Sequence, residues 1–222
     1  MNTPTHSTQP VQPDLLGITL THRAMVSDVG RIAELTAAFA EGRSTCVPHR
    51  ARAVARYVAL LCESIHHHHT VEDEVLWPVI EAAAGEYIDL TELTDDHAAL
   101  DPRLDRLRAL AAAFRLSGGD GKTAAPLAAG LADLHTLLRE HITDEEREVF
   151  PVITRHVSVA DWAAVEKAAQ RSGRLSFDGP RMVAVMADAE SGTFLGQAPW
   201  LLRLVLPVLA IRHRLLERAV FG

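Results

Sequence analysis

Two stretches of this chain repeat one another: residues 68–80, HHTVEDEVLWPVI, and residues 141–153, HITDEEREVFPVI. His, Thr, Glu, Pro, Val and Ile coincide at the same offset. Asp73/Glu146, Leu76/Val149 and Trp77/Phe150 are like for like. The shared kernel is His-x3-Glu-acid followed by an aromatic–Pro pair. In a helix, residues four apart lie about 40° apart in azimuth. His68 and Glu72 therefore share a face, as do His141 and Glu145, and each copy presents an imidazole and a carboxylate together. The fold must carry both copies on helices. The aromatic–Pro pairs Trp77-Pro78 and Phe150-Pro151 read as core anchors with a helix kink.

The apolar spacing around the two copies extends this to the whole chain. Leu15, Ile18, Met25, Val29, Ile32, Leu35 and Phe39 recur at helical spacing over 14–41, with Gly42 as a stop. A second helix starts near Pro48, a good first-turn residue, carries Val54, Val58, Leu61, Ile65 and Leu76, and ends at Ala84-Gly85. Thr94-Asp95-Asp96 reads as the start of a third helix, which runs to about Leu116. The loop 117–121 precedes a fourth helix over roughly 123–156. Aromatics are only 5% of the chain against 48% hydrophobic residues, mainly Ala, Leu and Val, which favours helices over sheets. The expected fold is all-α: an up-down four-helix bundle over residues 14–157, behind a disordered leader over 1–13 with three prolines.

Residues 158–222 read as a C-terminal helical extension packed on the bundle. It begins with a short amphipathic helix over 158–172 and is punctuated at Ser172-Gly173 and Asp178-Gly179-Pro180. The apolar stretch 198–221 is interrupted by Arg203 and Pro207 and falls short of the ~20 residues a membrane span needs, so no transmembrane segment is expected. The alternative is weak contact with a membrane surface or a protein partner, for which Arg203, Arg212, Arg214 and Arg218 supply a basic side. A net charge of −7 argues against nucleic acid as a partner. Cys46 and Cys62 form no CxxC pair, and residues 1–12 lack a signal-peptide pattern, so a cytoplasmic location is expected.

Of the 12 histidines, two stand in the remaining helices: His22 in the first, and His97 in the third with Asp101 four residues on. One histidine per helix, with carboxylates from two or three of them, converges on a bundle axis. Burying such groups together is costly without a cation. Mixed nitrogen and oxygen donors suit a divalent transition metal, iron above all, and two glutamates would join two ions. Within His66-His67-His68-His69, consecutive positions are 100° apart, so not all four face inward. His68 is the expected ligand, and His66, His67 and His69 are expected at the surface or supporting it. His49, His135, His156 and His213 read as exposed or structural. Glu146 competes with Glu145, the repeat register favouring Glu145. The chain has only one Glu-x-x-His, Glu63-x-x-His66, and lacks His-Glu-x-x-His, a phosphate loop and Gly-x-Ser-x-Gly.

On these residues the chain resembles the hemerythrin-like, HHE cation-binding proteins, over about residues 15–157. The match lies in His22, the unit from His68 through Glu72 to Trp77-Pro78, His97, and the unit from His141 through Glu145 to Phe150-Pro151. The resemblance implies a four-helix bundle holding a bridged centre of two non-haem iron ions. Glu72 and Glu145 would bridge, His22 and His68 would bind one iron, and His97 and His141 the other. One departure is Asp101, the seventh candidate metal ligand, which stands where the oxygen carriers have a fifth histidine; Pro102 follows it and should kink that helix. The implied function is binding of a small ligand (oxygen, nitric oxide or peroxide) for sensing, storage or redox detoxification. The alternatives are a peroxide-decomposing redox enzyme and a scaffold or membrane- or partner-binding helical protein without essential metal.

Overall fold

A computed structural model of the chain describes residues 12–188, 190 and 200–222, with the backbone alone at 172 and 200–209. The described residues are helical, with no strand among them. In chain order they form α1 (Leu16–Ala40), α2 (Pro48–Val71), a single π-helical segment (Glu72–Leu76), α3 (Trp77–Ala84), α4 (Thr91–Leu116), α5 (Gly121–His156), α6 (Val159–Ser172), α7 (Leu175–Ala184) and α8 (Trp200–Phe221). The leader expected over 1–13 lies outside the described residues except for positions 12 and 13. The side chains of Arg203 and Pro207 lie outside them as well.

Local chemistry explains the boundaries. α1 ends at Gly42, whose φ of +70° is open to glycine at no steric cost. α5 opens where the Asp120 carboxylate accepts from the Lys122 N–H at 2.6 Å. α4 starts at Thr91 rather than Thr94, because Asp89 accepts from the Thr91 N–H at 3.0 Å and Leu93 buries its first turn. Pro102 stays inside α4, and the Arg103 guanidinium reaches back to the Ala99 carbonyl at 2.6 Å in the turn that the proline loosens. The helix expected over 48–84 is interrupted. At the π segment the Trp77 N–H bonds the Glu72 carbonyl, five residues back. The stretch expected as punctuation around Asp178-Gly179-Pro180 is helix α7. Burial of Phe177 and Arg181 overrides the weak local propensity there.

Packing pairs α1 with α5, α2 with α4, α4 with α5 and α1 with α2. α7 lies on α1, α8 on α2, and the two pack on each other, so Phe177 and Val220 belong to the main apolar core. That core includes Met25, Ile65, Leu100, Leu138 and Ile142. A second apolar cluster, with Leu76, Trp77, Leu93, Val149 and Ile153, forms separately. Each of the four long helical segments passes from one cluster to the other, and the residues between carry the polar groups described next. No helix among the described residues is long and apolar enough to cross a membrane.

Candidate metal centre

Between the two apolar clusters, α1 places His22, α2 places His68 and His69, and the π segment places Glu72. α4 contributes His97, and α5 contributes His141 and Glu145. All are buried except His68, which is nearly so. Their ligand atoms fall into two groups, each within 4.8 Å: His22, His68, Glu72 and Glu145, and His69, Glu72, His97 and His141. Glu72 belongs to both. Its Oε1 lies 2.9 Å from His68 Nε2, while its Oε2 faces His97 Nε2 at 3.6 Å. Glu145 Oε2 lies 3.4 Å from His22 Nε2.

The six inward positions His22, His68, Glu72, His97, His141 and Glu145 are thus brought together. Asp101 is not: it is 58% exposed and bonds His66 Nδ1 at 2.8 Å on the surface. His69 goes the other way. Expected at the surface or in support of His68, it is buried among the ligand atoms, stacked on His97 with ring centroids 4.3 Å apart and edge-on to His141. The sequence held a signal for it. With His68 at 0°, helical geometry puts Glu72 at about 40° and His69 at about 100°, so the carboxylate is flanked by both rings. His67 bonds the Ala169 carbonyl on α6 at 3.1 Å.

Carboxylates outside the cluster orient the rings. His22 Nδ1 donates to Glu146 at 2.8 Å, His97 Nδ1 to Asp73 at 2.8 Å, and His141 Nδ1 to Asp96 at 3.3 Å. The acid that follows the glutamate in each repeat, Asp73 or Glu146, therefore supports a histidine on another helix. Glu145, fully buried, points inward, and Glu146 does not. With Nδ1 donating to its carboxylate, Nε2 of each supported ring is aimed into the cluster. His22 and His68 meet Nε2 to Nε2 at 3.0 Å, and so do His97 and His141. Two donors about 2.1 Å from one ion and at right angles to each other would stand about 3 Å apart.

Burial keeps His68, His69 and His141 below their ordinary basicity, so these rings are neutral. Burial acts on His22 too, but Glu145, Glu146 and Glu72 outweigh it and raise that ring to about 10. Burial and the charge of Glu72 push the Glu145 carboxyl well up. Glu72 is held well down against its burial by His68, His22 and His69. Both oxygens of Glu72, both of Glu145 and Nε2 of His69 are buried with no hydrogen-bond partner. Orphaned carboxylate oxygens facing neutral imidazoles are a donor set fitted to divalent cations.

The hemerythrin family, described as the hemerythrin HHE cation-binding domain, matches residues 17–153. That span takes in every member of both groups. No curated protein and no solved structure matches the chain.

Proposed function

Because this chain belongs to the hemerythrin HHE cation-binding domain family, we propose that it is a non-haem di-iron protein for a small ligand: oxygen, nitric oxide or peroxide. His22, His68, Glu72 and Glu145 would hold one ion, and His69, His97, His141 and Glu72 the other. Glu72, which belongs to both groups, would serve both ions, and Glu145 would be the second carboxylate of the centre. The observation that carries this reading is the orphaned state of four buried carboxylate oxygens between five imidazoles. A metal-free scaffold would leave these groups uncompensated. Residues 14–157 are read as an up-down four-helix bundle and 158–222 as its extension, in a cytoplasmic protein whose cysteines are free.

Iron held by these residues would supply a binding position and a redox couple for sensing, storage or detoxification of the small ligand. The chain's own part is to prepare the cavity. Glu146, Asp73 and Asp96 hold the Nδ1 protons, so that Nε2 of His22, His97 and His141 faces inward. Phe150 stacks on His22 and Trp77 on His97, at 6.0 and 5.9 Å between centroids, and both exclude water from those rings.

Metal analysis of the purified chain, followed by optical spectra of the reduced protein with oxygen, nitric oxide and hydrogen peroxide in turn, tests the proposal. Iron near two ions per chain and a spectral response to at least one ligand are expected. Catalytic loss of peroxide would make it a redox enzyme, and stoichiometric binding a sensor or store. A chain that takes up no iron on reconstitution would overturn the reading.

A further inference from the structure

Away from the centre, a cleft of about 450 Å³ opens between α2, α7 and α8. On α2, Arg52, Arg56 and Leu60 line it at i, i+4 and i+8. On α8, Arg212 and Leu216 line it at i, i+4. Arg174, at the start of α7, is the fourth arginine around it, and Phe177 forms the floor. Phe177 is buried and pinned from behind by the buried Arg181 guanidinium, 4.5 Å from its centroid. Arg174 is paired with Glu63 at 2.6 Å. Among the described residues, no carboxylate lies within ion-pairing distance of Arg52, Arg56 or Arg212. On a chain of net charge −7, this is a local excess of cations. His213 also lines the cleft, and its Nε2 is buried without a hydrogen-bond partner.

We propose that this cleft binds a small amphipathic organic anion, with its carboxylate or phosphate head among Arg52, Arg56 and Arg212 and its apolar body over Phe177, Leu60 and Leu216. Guanidinium groups grip either head through paired N–H donors. The volume is that of a small-molecule pocket, and apolar walls with a few convergent polar groups are the usual make-up of one. Nucleic acid would need a basic track far longer than this cleft. The inference is independent of the metal reading.

Calorimetric titration of the full chain with decanoate, decyl phosphate, inorganic phosphate and decanol tests it, alongside sedimentation with phosphatidylglycerol vesicles. Saturable binding of one decanoate or decyl phosphate per chain is expected, and the tighter of the two identifies the head group. Inorganic phosphate and decanol should each bind at least about tenfold more weakly. Arg56→Glu with Arg212→Glu, both at exposed positions, should lower affinity by about tenfold or more while helical circular dichroism and iron content stay unchanged. Inorganic phosphate binding as tightly as decyl phosphate would overturn the proposal. So would an unaffected double variant, or vesicle binding without binding of any monomeric amphiphile.

Discussion

Glu72 and His69 carry the asymmetry of the centre. Glu72 offers one oxygen to each group of ligands, and His69, its neighbour on the same face, completes the group that Asp101 does not reach. Iron content should therefore separate the residues. Glu72→Ala loses most of the metal, His69→Ala loses about half, and Asp101→Ala and His66→Ala keep all of it. Plasma emission on each purified variant reads this directly, and full occupancy in His69→Ala would remove that residue from the site. The carboxylates on Nδ1 act through orientation. Asp73→Ala and Glu146→Ala should weaken iron affinity by roughly 10–100-fold without abolishing binding, as read by competition with a chelator of known affinity.

At the scale of elements, two features depart from simple helical patterning. The π segment interrupts the first repeat and not the second, although both carry an aromatic–Pro pair. α7 exists because it buries Phe177 and Arg181. Its guanidinium bonds Asp28 on α1 at 2.5 Å, Ser64 on α2 at 3.1 Å and Asp178 at 3.0 Å. Asp28→Ala leaves a buried cation short of a partner and should cost about 3 kcal/mol in denaturant unfolding; no change in midpoint would mean that the Asp28–Arg181 pair contributes nothing to stability. The docking of α8 should depend on pH. Burial lowers His213 below its ordinary 6.5, against the charges of Glu217 and Asp28 and together with those of Arg181 and Arg31. Its contribution to stability is thus fully present above pH 6.5 and is lost as pH falls below that value toward and through the folded one. Protection of α8 amides from exchange should decline from pH 7 to pH 5, and His213→Phe should flatten that decline.

On the scale of the whole molecule, a polar layer separates two apolar clusters, and all four long helical segments cross it. Bound cations would neutralise that layer and link the four segments, so metal binding adds to folding free energy. At free iron about 1,000 times Kd, the added stability is about 4 kcal/mol, worth roughly 8–16 °C in melting temperature for a chain of this size. Calorimetric scans before and after treatment with a chelator measure the shift. An unchanged melting temperature after complete iron removal would count against a buried centre.

The helical class, the pairing of His68 with Glu72, and the inward set of His22, His97, His141 and Glu145 were legible in the sequence, whereas His141 and Glu145 fall into different groups of ligand atoms. The legible features follow from periods of 3.6 residues and from a repeat, and both are local properties of the chain. Even the inward turn of Glu145 over Glu146 was readable from register. Azimuth beside Glu72 favours His69 over His67 as the fifth imidazole, and the placement of α4 and α5 buries it against His97 and His141. Tertiary structure alone decided that Asp101 meets His66 at the surface, since i,i+4 spacing puts a side chain near a face without fixing which helix stands opposite. α7 was hidden for the same reason: Gly179-Pro180 favours a break locally, and the burial of Phe177 and Arg181 that outweighs it comes from residues more than a hundred positions away.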